Sequence, residues 1–336
     1  MFTSLDVVIP VYNSASWISE CIKFVESSLE LAGLRNSKIL VIDDGSTDNL
    51  TNVINNLRSP RIQLISQKNL GRALARLTGA ESSNASHVLF IDSRVHIHDK
   101  SIQYVLPFLN DPMTSTWTAD VHVQTAGNVL ARFWMVIEHV FWRKYYKQRV
   151  LTRITPENFD YYPKGTGGLI AERRTFIEAT LATSSNLIDP RKVNDDTALL
   201  RLINTDQPIM ISPHYSCTYN ARSNLIRFLK HANHRGAVLI DGYWRPGTRL
   251  RHPISISLAL NPLLLGLVGM FPRIGAQVVA TLLIACFIAL TLLKIGLRNS
   301  VTFVVLAVPF SCSYFLGMLN GVRLRLQTKL QTSESS

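Results

Sequence analysis

Three long apolar runs near the end of the chain most constrain what it can fold into. They cover residues 254–271, 276–293 and 301–318, and each is almost free of charged side chains. Runs of about 18 apolar residues are long enough to be transmembrane helices. In the preceding part of the chain, apolar residues are interspersed with charged ones, as in a soluble α/β domain. The sequence therefore predicts one such domain followed by two or three membrane helices.

The predicted domain boundaries follow from this change in composition. The first domain covers 1–252 and ends in a basic juxtamembrane segment, 222–252. A membrane domain follows over 253–326, and a polar tail covers 327–336. Arg249, Arg251 and His252 precede the first run, as expected on the cytosolic side. Three spans would export the basic residues near Arg323, whereas two spans, with 254–271 in the interface, would return them to the cytosol. The positive-inside rule favours two.

The beginning of the chain has no basic segment before an apolar one, which argues against a signal peptide. We therefore expect a multi-pass protein of the plasma membrane whose first domain is cytoplasmic. The four cysteines are widely spaced, and their spacing predicts free thiols.

The formal net charge of +12 favours an anionic partner. Phospholipid headgroups and a phosphorylated substrate both fit. Nucleic acid is not expected, because the sequence has no zinc-finger or RNP pattern.

Strand and helix patterns alternate through the first domain. The apolar runs LDVVIPVYN, SKILVIDD and VLFID each end in polar residues, and helical spacing follows the first from Ser16 to Ala32. This alternation predicts a doubly wound, mainly parallel sheet of the α/β class. Ligands bind outside the carboxyl ends of such strands, where the pattern puts Asn13, Asp43, Asp44 and Asp92.

The order of the motifs resembles glycosyltransferase family 2. VVIPVYN, LVIDDGSTDN, NLGRALARLTGA, VLFIDS, KGTGGLIAERRTF and NDDTALL follow one another between Leu5 and Gly242. The resemblance implies a GT-A fold, a nucleotide-sugar donor and inversion at the anomeric carbon. It is greatest to bacterial membrane enzymes that make exopolysaccharide or polyprenyl-linked glycans.

Carried over residue by residue, the resemblance implies a donor site. Pro10, Tyr12 and Asn13 would line the nucleoside pocket, and Asp44 beside Asp43 would accept from the base, for uracil its N3–H. Gly71 would permit close backbone approach, Arg76 would lie near the diphosphate, and Asp92 would be the first acid of the cation-binding motif.

The resemblance also implies a catalytic base and an acceptor side. Asp196, preceded by Asp195, would remove the proton from the acceptor hydroxyl. For Asp195, capping of the helix that follows is the competing interpretation. The turn of Gly165, Thr166, Gly167 and Gly168 would approach a sugar or phosphate, unless it serves the fold alone, and His234 and Arg235 would close over the leaving diphosphate.

One position departs from the family pattern. Family members usually have Asp-x-Asp, but here Arg94 follows two residues after Asp92. We still expect a divalent cation, Mg²⁺ or Mn²⁺, bound to Asp92. The other ligands of the cation would be oxygens of water and of the donor phosphates, or the side chains of His214, His96, His98 or Asp99. Alternatively, Arg94 itself would neutralise the phosphate charge.

The resemblance, together with the apolar runs, implies a membrane-bound, non-processive glycosyltransferase that acts on a lipid-linked or polysaccharide acceptor. Non-processivity is expected because the Gln-x-x-Arg-Trp motif of polymerising relatives is absent. The segment from Asn128 to Arg149 mixes aromatic and basic residues, which indicates an interfacial helix on the acceptor side or, alternatively, core packing. Two other interpretations stay open: a polyprenyl-phosphate glycosyltransferase, and a non-catalytic membrane scaffold with this fold.

Overall fold

A computed structural model of the chain describes residues 4–184 and 195–334. The chain forms two compact units. The first consists of Met1–Val123 and Trp142–Asn220, and the second of Gln124–Phe141 and Ala221–Ser336. This division differs from the predicted boundary at 252, because segments 124–141 and 221–252 pack with the membrane helices rather than with the sheet.

The first unit contains two sheets. Their strands are β1 (Leu5–Val11), β2 (Ile39–Asp43), β3 (Ile62–Ser66), β4 (His87–Phe90), β5 (Val95–Ile97), β6 (Thr116–Thr118), β7 (Asp120–Val123), β8 (Thr152–Ile154), β9 (Leu169–Glu172), β10 (Ile209–Ile211) and β11 (Ser216–Tyr219). The large sheet has the order β3-β2-β1-β4-β9-β6-β10-β8, and the small one β5-β11-β7.

The large sheet is mixed, and most of its strand pairs are parallel, as predicted. Strands β1, β2, β3 and β4 are parallel, as the alternating pattern predicts. Strand β9 runs antiparallel between β4 and β6, and β8 is antiparallel to β10. The predicted α/β class is confirmed.

Helices cover both faces of the large sheet. In the first unit they are α1 (Ala15–Leu31), α2 (Leu50–Leu57), α3 (Arg72–Ser82), α4 (Ser101–Val105), α6 (Arg143–Lys147), α7 (Arg173–Ser184) and α8 (Asp195–Asp206). Neighbouring residues of β1 point into different cores: Val7 and Ile9 pack with α1, whereas Val8 packs with α3 and α7. Burial on both sides explains why these strands are continuous apolar runs.

The second unit is helical within the described residues. Its helices are α5 (Val129–Phe141), α9 (Leu225–Tyr243), α10 (Arg251–Met270), α11 (Pro272–Leu292) and α12 (Leu297–Glu334). Helices α10, α11 and the part of α12 from Leu297 to Gln327 are long and apolar enough to cross a membrane. Helix α12 is longer than the apolar run 301–318 predicts, because the helix continues through the basic residues that follow the run, Arg323 and Arg325.

Helices α10 and α11 form an antiparallel hairpin. Only Phe271 separates them, and a Cβ on Gly275 would lie 2.6 Å from the Cα of Val268. Residues seven apart in a continuous helix are about 10 Å apart. The chain therefore folds back at Phe271.

Glycines permit a close contact between α9 and α12. A Cβ on Gly236 would lie 2.1 Å from the carbonyl oxygen of Tyr314, and one on Gly317 would lie 1.9 Å from that of Asn233. Side chains would keep these backbones apart. The aromatic residues of α5 complete the packing, since Phe133 stacks on Phe303 of α12 with 4.7 Å between ring centroids.

The four cysteines are free thiols, as their spacing predicts. Cys21 and Cys217 are buried in the first unit, whereas Cys286 and Cys312 lie on α11 and α12.

Candidate active site

The polar residues that end β1, β2 and β4 lie at one edge of the large sheet. Strand β1 pairs in parallel with β2 on one side and with β4 on the other. Their carboxyl ends therefore lie together, which brings Asn13, Asp43, Asp44 and Asp92 to the same edge.

The loop after β1 is tied to the loop after β2. Asn13 adopts φ of 47°, a left-handed conformation that asparagine tolerates. Its side-chain oxygen accepts a hydrogen bond from Thr47 N at 2.8 Å, and its own N–H donates to Ser46 Oγ. Pro10 is buried within β1, while Tyr12 is 51% exposed beside it. That these residues line a nucleoside pocket stays a prediction.

Asp44 organises the loop that leads into α3. Its carboxylate accepts from the side chain of Gln67 and from the backbone N–H groups of Leu70 and Gly71, at 2.8 to 2.9 Å. Gly71 has φ of 91°, which disfavours a side chain at this position. Three of the roughly four acceptor positions of a carboxylate are thus used within the protein. Recognition of a base by Asp44 would therefore use the remaining one.

Asp43 has a more local contact. Its Oδ1 accepts from Ser46 N at 2.8 Å, which closes the turn after β2.

Arg76 joins the predicted donor acid to the predicted base. This arginine of α3 is 2% exposed, its Nη2 lies 2.8 Å from Asp92 Oδ1, and its Nη1 lies 3.4 Å from Asp196 Oδ1. The structure therefore brings Asp92 and Asp196 onto one guanidinium. A direct contact of Arg76 with the donor diphosphate, expected from the resemblance, stays a prediction.

The glycine turn lies against both carboxylates. The buried hydroxyl of Thr166 donates to Asp196 Oδ1, and a Cβ on Gly167 would lie 3.1 Å from Asp92 Oδ2. A Cβ on Gly168 would lie 2.7 Å from the Cβ of Ala119, whereas Gly165 has open space beside it. Two glycines thus permit close packing, and Gly165 faces open space.

Asp196 lies in the first turn of α8, where a negative charge is favoured by the helix dipole. The side chain of Asp195 lies outside the described residues, so its predicted role stays untested.

Arg94 packs on an aromatic ring. Its guanidinium carbon lies 4.5 Å from the ring centroid of Trp17 in α1, and its Nη1 donates to the carbonyl of Asn220. These contacts hold the arginine two residues from Asp92, at the position where the family usually has a second acid.

The histidines predicted as alternative ligands have other partners. The ring of His96 stacks on Phe24, and the two ring nitrogens of His98 bond the hydroxyls of Ser216 and Thr218. His214 is exposed and lies against the ring of Tyr104. Asp99 accepts a hydrogen bond from Ser27.

The described side chains do not fit a cation site built by the protein alone. Among them, no group of three His, Cys, Asp or Glu residues is placed to hold a metal ion. Asp92 also binds Arg76 through Oδ1. Divalent cations take about six or more oxygen ligands, so most would have to come from water or a bound diphosphate.

A charged cluster beside the glycine turn was not predicted from the sequence. The wholly buried Asp120 has its Oδ2 3.4 Å from Arg149 Nη1 and 3.7 Å from His122 Nε2. Burial raises the pKa of Asp120, an effect that Arg149 and His122 oppose, and burial lowers the pKa of His122. The residue before Asp120, Ala119, donates its N–H to Gly168 O. In the sequence, this cluster is indicated only by the acid and the histidine of DVH, Asp120 and His122. Arg149, the partner of Asp120, belongs to a distant segment of the chain.

Lys164 precedes the glycine turn and is partly buried. Its Nζ donates to the carbonyls of Phe159 and Tyr162, and it lies 4.8 Å from the ring centroid of Trp142. Burial lowers the pKa of Lys164 to about 7, although Asp160 opposes this effect. Near neutral pH this side chain is therefore a mixture of ammonium and neutral amine.

His234 and Arg235 lie on α9, in the second unit. Their predicted role at the leaving diphosphate stays a prediction.

The sequence is similar to known glycosyltransferases. Residues 6–169 match the family described as Glycosyl transferase family 2. An uncharacterized glycosyltransferase of Rickettsia conorii is 34% identical over 110 residues, which is 32% of this chain and 18% of that protein. The chondroitin synthase of Pasteurella multocida is 25% identical over 159 residues, 46% of this chain and 15% of that protein. The chain thus matches about a fifth or less of the length of these relatives.

The fold is similar to that of a solved mannosyltransferase. The structure from Pyrobaculum calidifontis, determined with GDP-Man and Mn²⁺, has a TM-score of 0.57 at 14% identity, and the match covers 95% of this chain and 86% of that one. A likeness at this identity concerns the fold. It confirms the predicted GT-A fold, and together with the sequence match it shows that residues 6–169 form a glycosyl transferase family 2 domain.

Proposed function

We propose that this protein is a membrane-bound inverting glycosyltransferase that moves a sugar from a nucleotide donor, UDP-linked, to a lipid-linked or polysaccharide acceptor in cell-surface glycan synthesis. The observation that carries the proposal is the pair Asp92 and Asp196 on the single buried side chain of Arg76. One carboxylate ends a strand of the nucleotide-binding half of the sheet, and the other begins a helix beside the glycine turn. A donor carboxylate and a base carboxylate are what such a transfer requires.

In the proposed reaction Asp196 is the general base. Its carboxylate accepts the proton of an acceptor hydroxyl while the hydroxyl oxygen forms a bond to the anomeric carbon of the sugar. The bond from that carbon to the diphosphate breaks on the opposite side, and the nucleoside diphosphate leaves with the bonding electrons. Attack opposite the leaving group inverts the anomeric configuration.

Two neighbours orient the base. Thr166 and Arg76 both donate to Oδ1 of Asp196, which fixes the plane of the carboxylate. A fixed base favours the geometry in which the acceptor proton is transferred.

The membrane helices support a lipid-linked acceptor. Helices α10 and α11 are apolar enough to cross a membrane. In the same unit, α5 carries the aromatic residues Phe133 and Trp134, and the ring of Trp134 lies 5.1 Å from that of His231 in α9. A polyprenyl chain would be held in lipid by such helices. The acceptor, the UDP donor and the location in the plasma membrane belong to the proposal.

Donor binding to the detergent-purified full chain tests the proposal. Calorimetric titration with a panel of nucleoside diphosphates and nucleotide sugars should identify one nucleotide that binds, and Asp92→Asn should weaken its binding at least tenfold. Repeating the titration with Mn²⁺ and then with EDTA tests whether nucleotide binding requires the predicted cation. Asp92 alone offers few ligands, so the cation would be held largely by the bound diphosphate. Binding of none of the nucleotides would contradict the proposal and favour a non-catalytic scaffold.

A further inference from the structure

The two ends of α12 lie on the same side of the α10–α11 hairpin. The hairpin begins at Arg251 and returns at Leu292, and partly buried positions recur along both helices at helical spacing. Only four residues separate Leu292 from the start of α12 at Leu297. Its beginning is therefore near the level at which α10 begins.

The second half of α12 is also held at the beginning of α10. Ile254, in the first turn of α10, packs in one buried cluster with Phe315 and Met318 of α12. Further along, Arg325 donates to the carbonyl oxygen of Trp244, and its guanidinium lies 5.5 Å from the Trp244 ring centroid. Trp244 ends α9 and precedes α10 in the chain, so this end of α12 lies on the entry side too.

A helix that crosses the bilayer cannot have both ends at one surface. From Leu297 to Arg325, α12 is about 42 Å long at 1.5 Å per residue, more than the hydrocarbon core of about 30 Å. If α12 ran alongside α11 into the membrane, Phe315 would lie near the turn at Phe271 rather than beside Ile254. The contacts therefore require α12 to cross the base of the hairpin.

The two faces of α12 differ in the way that an in-plane helix requires. One face packs against α5 and α9 through Phe303, Phe310 and the glycine contacts. The opposite face carries an exposed apolar stripe whose residues recur after one or two helical turns: Val301, Val305, Val308, Leu316, Leu319 and Leu326. By contrast, α10 and α11 are exposed around most of their circumference, as expected of helices surrounded by lipid.

We infer that the membrane domain has two spans, α10 and α11, and that α12 lies in the plane of the interface with its apolar stripe in one leaflet of an anionic phospholipid bilayer. The charge distribution agrees. Arg273 is the single lysine or arginine between Arg251 and Lys294, and it lies at the hairpin turn. Arg249, Arg251, Lys294, Arg298, Arg323 and Arg325 then all lie at the entry surface. Basic residues at one surface favour this orientation and attract anionic headgroups.

This topology differs from both ways of counting the spans from the sequence. Three spans would place Arg323 beside Arg273, and the two-span count with 254–271 in the interface would separate Lys294 from Arg251. The hairpin avoids both arrangements. It does not depend on the reaction proposed for the first unit.

Site-directed labelling of the full chain in sealed membrane vesicles tests the topology. In a background with Cys286→Ala and Cys312→Ser, single cysteines are introduced as Arg273→Cys, Arg298→Cys and Gln327→Cys, all exposed positions. A membrane-impermeant maleimide is applied to inside-out and to right-side-out vesicles. We expect Arg298→Cys and Gln327→Cys to be labelled from the same side, and Arg273→Cys from the other. Labelling of Gln327→Cys from the side of Arg273→Cys would overturn the inference.

Depth measurements provide a second, independent readout. Spin labels at Val305→Cys, on the exposed face of α12, and at Ile284→Cys, in the middle of α11, are compared by accessibility to a water-soluble relaxing agent and to oxygen. An in-plane α12 makes the Val305→Cys label clearly shallower than the Ile284→Cys control. Equal depths for the two labels would mean that α12 crosses the bilayer.

Discussion

The guanidinium of Arg76 lies 2.8 Å from the carboxylate of Asp92, and its other terminal nitrogen lies 3.4 Å from Asp196. Arg76 is 2% exposed, whereas the two carboxylates are each exposed by more than a quarter. The arginine thus holds two acids of the candidate active site from within the protein, while the acids reach its surface.

Replacing Arg76 should destabilise the first unit. In Arg76→Met both carboxylates lose the buried guanidinium that they share, and we expect a loss of about 3 kcal/mol, the lower end of the range for a broken buried ion pair because the acids are partly exposed. The matched control is Arg174→Met, which removes an exposed pair with Glu178 and should cost about 0.5 kcal/mol or less. Denaturant unfolding compares the two variants, and equal losses would contradict a structural role for Arg76.

Asp196→Asn should reduce turnover without abolishing donor binding. A general base contributes about 10²- to 10⁴-fold to a rate, so kcat should fall by that factor while the Kd of the nucleotide changes little. Asp206→Asn, at the exposed end of the same helix, is the control and should keep its activity. If Asp196→Asn keeps full activity, the acceptor is one that needs no deprotonation, such as a lipid phosphate.

The glycine turn should tolerate a methyl group at one position and not at another. Gly168→Ala places a Cβ 2.7 Å from that of Ala119, and overpacking of this kind costs about 1–3 kcal/mol. Gly165→Ala meets nothing within 4 Å, so its stability should be close to that of the parent protein. If a ligand approaches the turn closely, Gly165→Ala will instead raise KM. Thermal unfolding and steady-state kinetics distinguish the two effects.

Lys164 should make the stability of the protein depend on pH. In the unfolded chain its pKa is about 10.5, and in the folded protein burial lowers it to about 7. Below pH 7 both states are protonated and the cost of burying the charge is present in full. Between pH 7 and 10.5 the unfolded chain binds more protons than the folded one, so this cost is relieved as pH rises. The unfolding temperature of the parent protein relative to Lys164→Met should therefore increase from pH 7 to pH 9. A difference that is constant over this range would show that Lys164 does not titrate there.

The contact between α9 and α12 should be sensitive to a single methyl group. Gly317→Ala would bring a Cβ within 1.9 Å of the carbonyl oxygen of Asn233, so the helices must separate, at a cost of about 1–3 kcal/mol. Gly266→Ala in α10 has nothing within 4 Å and should be neutral or stabilising by up to about 1 kcal/mol. Thermal unfolding in detergent provides the comparison. Equal stability of the two variants would contradict the close packing of α9 on α12.

Local patterns predicted several elements well. The helix expected from Ser16 to Ala32 is α1, Ala15–Leu31, because its apolar residues recur on one face that packs on the sheet. The acidic ends of β2 and β4 follow directly from apolar runs that stop at Asp43 and before Asp92. Short-range signals of this kind depend on residues that are close in sequence, so the sequence contains them in full.

Contacts between distant segments were not predictable in this way. Arg76 and Asp196 are 120 residues apart, and the pairing of Asp120 with Arg149 depends on how β7 and the segment after α6 meet. The antiparallel insertion of β9 between β4 and β6 likewise follows from the path of the chain and not from the composition of LIAE.

By itself the sequence determined the α/β class, the acids at the strand ends, the resemblance to glycosyl transferase family 2 and the presence of apolar helices, because periodicity and motif order are local properties. The tertiary structure decided which charges meet: it put Arg76 between Asp92 and Asp196 and gave His96 and His98 partners of their own. It also packed Phe315 and Met318 of α12 with Ile254 in the first turn of α10, although the apolar run 301–318 has the length of a membrane span. Composition measures how apolar a helix is, whereas its position in a bilayer depends on what each of its faces contacts.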